Sequence, residues 1–379
     1  MSLRSGSPPE TDIPDGSPTL DITGTKIVSS GIGLQDWHGR TAVQVLTGGI
    51  VVLVYRVGSA HPVNDNGELH IRFSNDYGAN WTDANKFLDG SSVTNFPWRP
   101  SVYPSYQGPG EPWILQAPNG DILVFGWRID YGVEGGGTYM SRSTDGGKTF
   151  NEGQKITVNS LPGDCSQDSN YMTNDHFILN NVIYISCWNN DGLGSISTLI
   201  KSEDNGATWD FVSKITDNDI DTDIANYEAG LCYVGNNKII TMMRNGSNNG
   251  TLYKISTDMG QTWGALSDVT SWGVTARHRF QQRSRLKQKS NWWLDPVIIT
   301  AIFTHPTPGS SQPRRNGIQI SKDFGVTFPY VLNLDIAYED GGYNDLFYNP
   351  ITDEYVCMAY RGLLTDADIV QYNFKIIWS

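Results

Sequence analysis

Several things are scarce in this 379-residue chain, and each scarcity removes a class of protein. The four cysteines, Cys165, Cys187, Cys232 and Cys357, show none of the close-paired spacing of a zinc site. Each sits in or near an apolar strand and reads as a buried free thiol, with one disulfide as the alternative. No apolar run approaches the ~20 residues of a membrane-crossing helix, so no membrane insertion is expected. Positive charge is short as well: 27 Lys and Arg against 40 Asp and Glu leave a formal charge of −13. Such a field draws neither nucleic acid nor an anionic bilayer, so an anionic ligand would need a local arginine cluster. No secretory leader is visible, because Met1-Ser2-Leu3-Arg4 runs straight into Ser-, Gly-, Pro- and Asp-rich sequence. No segment suggests a helix of any length.

What is present is turn formers and aromatics. The chain has 40 Gly, 18 Pro, 12 Trp and 18 Tyr, a composition that fits many short strands. One phrase recurs five times: Ser74-Asn75-Asp76-Tyr77-Gly78-Ala79-Asn80-Trp81, then frames beginning at Ser143, Ser202, Ser256 and Ser321. The shared pattern is Ser-x-Asp-x-Gly-x-(Thr/Asn)-(Trp/Phe), and the starts lie 69, 59, 54 and 65 residues apart. Asp and Gly two apart suit a tight turn, since Asp bonds nearby backbone amides and Gly takes a positive φ freely. The closing ring can pack between neighbouring units. These Asp residues read as hairpin staples, not as chemistry.

A second repeat lies beneath the first. Short Gly/Asn/Asp/Pro loops precede apolar strands over residues 50–56, 122–128, 182–188, 238–244, 296–301 and 354–361. Six units, five of them followed by the phrase, predict an all-β, six-bladed β-propeller. Residues 20–30 alternate like a strand, which would close the ring by pairing into the last blade. Residues 1–18, with Pro8, Pro9, Pro14 and Pro18, read as a flexible N-terminal arm, and 19–379 as one propeller domain.

The recurring phrase is similar to the Asp box of sialidases (neuraminidases) and related propellers, some of which are not catalytic. The resemblance runs from about residue 25 to the end, and its order can be followed. The family places an arginine in a Phe-Arg-Ile-Pro phrase ahead of the first box, where Gly39-Arg40-Thr41-Ala42 stands here. Its acid/base Asp lies in the loop before that box; Asp65 matches, with His61 as a rival. Its Glu opens the fourth blade and its second arginine ends the next strand, the places of Glu228 and Arg244. Its third arginine precedes the fifth box, where Arg314 and Arg315 stand together. Its nucleophilic Tyr lies in a Gly-Tyr-Ser-x-Leu-like phrase, and Gly342-Tyr343-Asn344-Asp345-Leu346 fits. One departure concerns a Glu late in the last blade that orients the first arginine; that place reads Tyr360-Arg361.

The resemblance implies a retaining exo-sialidase, or a relative acting on another acidic sugar, with a glycan as partner and no cofactor or metal. Arg40, Arg244, Arg315 and Arg314 would grip the substrate carboxylate bidentately. Tyr343 would be the nucleophile, a neutral oxygen that a carboxylated anomeric carbon does not repel. Glu228 would take its proton and Asp65 would protonate the leaving oxygen. A secreted or periplasmic location follows by the same analogy.

Plainer readings stand beside these. Arg56, Arg128, Arg244 and Arg361 end equivalent strands, so Arg56, a further substrate-binding candidate, could be a feature of the repeat. Tyr343 could be a strand aromatic, Asp65 a turn residue and His61 a loop histidine. The run Asp217-x-Asp219-x-Asp221-x-Asp223, with Glu228 at the twelfth place, mimics an EF-hand loop but has Thr222 where Gly is expected. A non-catalytic glycan-binding propeller is the alternative function, and a hydrolase or lyase using His61 a third.

Overall fold

The structure, a computed structural model, describes residues 16–31, 36–59, 67–98, 109–128, 136–190, 194–217, 221, 226–245, 251–268, 278–281, 297–304 and 314–379. Residues 1–15 of the expected arm lie outside it. Among the described residues the chain is almost entirely β, with one helical turn, the 3-10 turn Gln167–Ser169.

The turn chemistry sets the strands. Asn180 and Asn181 have φ of 51° and 64°, Asn236 and Asn237 of 51° and 61°, and Gly48 and Gly49 of 96° and 88°. Two left-handed residues in a row make the turn whose twist matches that of the strands it joins, and Asn and Gly take that conformation with least cost.

Strands β1 (Pro18–Ser29), β2 (Asp36–Val45), β3 (Val51–Gly58) and β4 (Glu68–Ser74) come first. Next is a meander of β5 (Trp113–Gln116), β6 (Ile122–Arg128), β7 (Gly137–Ser143) and β8 (Gln154–Lys155). Then come the two-residue β9 (Val158–Asn159) and a meander of β10 (Tyr171–Leu179), β11 (Val182–Asn190), β12 (Ser195–Ser202) and β13 (Trp209–Lys214). A further meander holds β14 (Asn226–Tyr233), β15 (Ile239–Asn245), β16 (Thr251–Ser256) and β17 (Ser267–Asp268). Another holds β18 (His278–Gln281), β19 (Ile298–Thr304), β20 (Arg315–Ser321) and β21 (Tyr330–Asn333). The last strands are β22 (Asp340–Asn349), β23 (Glu354–Leu363) and β24 (Asp366–Trp378).

These form five sheets, the largest seven-stranded. That sheet joins the two ends of the chain. Strand β1 pairs antiparallel with β24 from Pro18↔Trp378 to Ser29↔Ile369, as residues 20–30 suggested. Strand β24 also meets β2 in parallel at Asp36↔Asp366 and Trp37↔Ala367. The first strands touch in succession: β2 with β5, β5 with β10, β10 with β14, β14 with β18, β18 with β22, and β22 with β2. They therefore surround a common centre. Apolar side chains fill the space between successive meanders. Val54 and Phe73 pack with Ile122 and Val124, and at the other end Phe347, Met358 and Ile369 pack with Trp37, Val51 and Leu53. Each such side chain, buried, contributes ~1.5–3 kcal/mol.

The five recurring phrases share one hydrogen-bond pattern. The Ser hydroxyl donates to the Asp carboxylate and accepts from the Gly amide. The carboxylate then accepts from the amide and side chain of the Thr or Asn four residues on. At Asp258 the contacts are 2.8 Å to Ser256 Oγ, 2.9 Å to Thr262 N and 2.5 Å to Thr262 Oγ1. These bonds hold bulky residues in the left-handed region, with Tyr77, Met259 and Phe324 at φ of 53°, 59° and 56°. The glycine that follows lies against the preceding meander. Gly147 faces Phe73, Gly206 faces Leu123, Gly260 faces Leu199 and Gly325 faces Ile240, while Gly78 faces Phe347 and Gln371 of the last strands. Since strand directions alternate, the phrases lie at the edge where the first strands end. The opposite edge carries the starts of those strands.

Two predictions follow from these turns. A Cβ at Gly260 would lie 2.2 Å from Leu199 Cδ2, at a φ of +79°, whereas at Gly146, φ +77°, it would meet nothing within 4 Å. Gly260→Ala should therefore lower the urea-unfolding free energy by ~1–3 kcal/mol through overpacking, on top of backbone strain, and clearly more than Gly146→Ala. Equal losses would show that the glycine contact is not what fixes the turn. The Thr262 hydroxyl, the Thr262 amide and the Ser256 hydroxyl hold the Asp258 carboxyl down from 3.8 to about 2. A depressed folded value stabilises above the ordinary value and is lost as pH falls toward the depressed one. The share of acid destabilisation between about pH 4 and about pH 2 that belongs to this turn should vanish in Asp258→Asn, read as a smaller shift of the urea midpoint across that window.

Candidate functional site

At the edge away from the recurring phrases, four first strands are interrupted at equivalent points. In β2 the register slips between Gly39 and Ala42, in β10 between Met172 and His176, in β14 between Tyr227 and Gly230, and in β22 between Gly342 and Asp345. Such bulges re-aim side chains and are common beside active sites. Three of them enclose Arg40 with Thr41, Glu228 with Ala229, and Tyr343 with Asn344. Arg40 adopts a left-handed φ of 51°, a costly conformation for a residue with a side chain. The local sequence permits the slips, because Gly39, Gly230, Gly341 and Gly342 flank them.

A bulge frees backbone groups that need other partners. Neighbouring elements supply them. Asp345 accepts from the Val43 amide at 2.6 Å, tying the bulge of β22 to that of β2. Thr41 donates to Met358 O at 2.9 Å, and Asn344 donates through Nδ2 to Ile302 O at 2.6 Å. Ser186 on β11 donates to Ala229 O beside Glu228. Thr41, Ser186, Asn344 and Asp345 are 0–3% exposed, so these bonds are shielded from water.

The arginines stand in different surroundings. Arg40 forms a buried ion pair with Glu111, which stands just before β5, its side chain 3% exposed. The carboxylate for Arg40 therefore comes from the second meander. The place where the resemblance expected that partner holds Arg361, which turns elsewhere, with its guanidinium 5.0 Å over the Tyr338 ring and bonded to the Tyr372 hydroxyl at 3.1 Å. Arg56 is 1% exposed. Its Nε donates to Pro109 O at 3.2 Å and its guanidinium lies 5.7 Å over Trp37, so it braces the chain beneath the site surface. Arg314, 6% exposed, exchanges backbone hydrogen bonds with Tyr338 at 2.8 Å and reaches Gly341 O at 3.4 Å, two residues before Tyr343. Arg315 opens β20, paired with Thr304 and partly exposed. Arg244 is placed by register opposite Tyr227, next to Glu228.

His61 and Asp65 lie outside the described residues. The chain leaves at Ser59 and returns at Gly67 on the same edge as the bulges. By backbone position Arg40, Glu228, Arg244, Arg314 and Tyr343 stand at one edge, and Arg56 stands near the end of β3 with its side chain buried against Trp37 and Pro109. Of the acidic run, Asp221 is paired with Lys254 at 2.7 Å and Asp217 with Lys214 at 3.6 Å; among the described residues no group of His, Cys, Asp or Glu is arranged to hold a metal. Among the described residues no cysteine forms a disulfide, and Cys187, Cys232 and Cys357 are buried. Glu111 and Asp345 were not singled out from the sequence. The available signal for Glu111 was a lone carboxylate at the head of an apolar strand.

No family model and no curated protein matches the sequence. Solved structures do. A protein of unknown function from Dyadobacter fermentans aligns with TM-score 0.67 and 18% identity over 94% of this chain and 100% of that one. The NanB sialidase of Streptococcus pneumoniae aligns with TM-score 0.62 and 13% identity over 92% of this chain and 70% of its own. An alpha-L-arabinanase of Penicillium chrysogenum aligns with TM-score 0.61 and 14% identity over 94% and 98%. Identities of this size speak for the fold. With its first strands closed around one centre, the chain has the sialidase-like β-propeller fold.

Proposed function

We propose that the chain is a six-bladed propeller, one domain over residues 19–379 with five Asp boxes at the edge opposite its site, and that it is a sialidase-like retaining glycoside hydrolase. Counting the seven-stranded sheet as two blades, β2-β3-β4 and β22-β23-β24-β1, supports the number six. The observation that carries the functional reading is the equivalent bulge under Arg40, Glu228 and Tyr343, with Arg244 and Arg314 beside the second and third. In this reading Arg40, Arg244 and Arg314 or Arg315 bind the carboxylate of a terminal sialic acid or related acidic sugar. Glu111 holds the Arg40 fork in place. Tyr343 attacks the anomeric carbon as its proton passes to Glu228, and Asp65 protonates the leaving oxygen. The covalent glycosyl–Tyr intermediate is then opened by water, with Asp65 acting as base, so configuration is retained.

The purified chain should hydrolyse an activated aryl sialoside and leave its methyl ester intact. An aryl arabinoside belongs in the same panel, because the arabinanase likeness covers nearly the whole of both chains. Glycan binding with no turnover of any acidic glycoside would favour the non-catalytic reading. Tyr343→Phe and Glu228→Gln should each reduce kcat by about 10²-fold or more while the chain stays folded. The double variant should be little worse than either single one, because the two groups act as a unit. Arg244→Lys should raise KM about 10–100-fold, since Lys offers no bidentate fork. Unchanged kinetics in Tyr343→Phe would sink the mechanism.

A further inference from the structure

Beyond the residues that would touch substrate lies a partly buried polar chain that joins β20 to β24 and to β23, which carries Arg361. It centres on Asp335, in the segment between β21 and β22. Asp335 Oδ1 accepts the Asn316 backbone amide at 2.8 Å, and Oδ2 accepts Asn316 Nδ2 at 2.9 Å and the Tyr372 hydroxyl at 2.6 Å. Arg361 in turn donates to the Tyr372 oxygen at 3.1 Å. Asn316, 1% exposed, also donates from Nδ2 to Tyr360 O at 3.2 Å. One carboxylate therefore collects bonds from β20 and β24, and through them from β23.

The direction of this chain is fixed by its charges. Burial and the neighbouring Asp335 carboxylate push the Tyr372 hydroxyl well above its ordinary value, so it stays protonated and donates. Burial raises the Asp335 carboxyl as well, against the pull of Tyr372, Asn316 and Arg361. Arg361 supplies the counter-charge at one remove. Its guanidinium also covers the Tyr338 ring, and Tyr338 is the residue whose backbone exchanges hydrogen bonds with Arg314. On the other side, Arg361 stands opposite Gly341 in register, and Gly341 O is the acceptor of Arg314 Nη1.

We infer that Asp335 is a positioning residue of the site: through Asn316 and Tyr372 it fixes the head of β20, with Arg314 and Arg315, against the start of β22 that carries Tyr343. The inference rests on the sialidase-like reading. Without Oδ2 and its charge, Asn316 Nδ2 and the Tyr372 hydroxyl lose their acceptor, and Arg361 loses the counter-charge it reaches through Tyr372. The arginine head of β20 is then free to shift relative to Gly341. The substrate carboxylate would be held less well, whereas the bonds of Asn344, Asp345 and Ser186 at the bulges of β22 and β14 do not involve Asp335 and would stay in place.

The test is a split of KM from kcat. With the aryl sialoside, Asp335→Asn and Tyr372→Phe should each raise KM about tenfold and leave kcat within about twofold. Affinity for an unsaturated sialic acid analogue, measured by calorimetry, should fall in step. The double variant should be no worse than either single one, because both break the same chain. Tyr348→Phe, which removes a hydroxyl bonded to Asp353 at the opposite edge of the same sheet, should leave both constants unchanged. A merely structural role would lower the active fraction, and so kcat, with KM intact. If Asp335→Asn fails to fold, Tyr372→Phe decides alone, since it keeps the buried ring. A wild-type chain that neither binds nor hydrolyses acidic sugars overturns the sialidase-like reading and this inference with it. An active wild type whose KM is unmoved by either substitution overturns the inference alone.

Discussion

The pairing of β1 with β24 is the constraint on which the rest depends. It brings the first strand of the chain onto the last, and the same β24 then meets β2. A row of meanders without that pairing would end in two open edges, each a template for further strand addition. With it, the first strands are forced around one centre, and groups far apart in sequence become neighbours. Arg40 and Tyr343 are brought to adjacent strands in this way, and Asp345 on β22 bonds the amide of Val43 on β2. Closure is a precondition for any chemistry at that edge, not an ornament of the fold.

The two edges then solve different problems. At one, the recurring turns are self-contained: each Asp finds its partners within four residues and each glycine rests on the unit before it. At the other, the first strands bulge, and side chains from other strands bond backbone beside the bulges, as Asp345 does to the Val43 amide and Ser186 to Ala229 O. The first edge supplies local stability. The second accepts irregular backbone, including the left-handed Arg40, because its neighbours over-determine it.

That division explains what was legible in the sequence. The strand-and-turn repeat could be read because its signals are local: paired Asn or Gly residues at the hairpins and the Ser-x-Asp-x-Gly frame. The order of Arg40, Glu228, Arg244 and Tyr343 along the chain could be followed by resemblance, and the structure sets these residues at one edge. Arg56 shows the limit. It stands near the end of β3, and the structure buries it against Trp37 and Pro109, surroundings that no local motif in the sequence announces. Glu111 and Asp335 were illegible for the same reason. The arginine that Glu111 pairs with lies 71 residues away, and Asp335 meets Tyr372 across 37 residues, with no motif around either. Where the resemblance expects a glutamate stands Arg361, and the carboxylate that pairs with Arg40 is Glu111, from another meander.

The meeting of residues 17 and 379 has a consequence for presentation. Ser379 bonds the Ser17 carbonyl through its amide at 3.4 Å and its hydroxyl at 3.1 Å, at the edge that carries the recurring turns. A link made at Ser17 or at Ser379 would therefore leave from the face opposite the bulged strands. A molecule tethered to a surface or a fusion partner by residue 17 or by residue 379 holds the Arg40, Glu228 and Tyr343 edge pointing outward, and the two tethers are interchangeable in orientation.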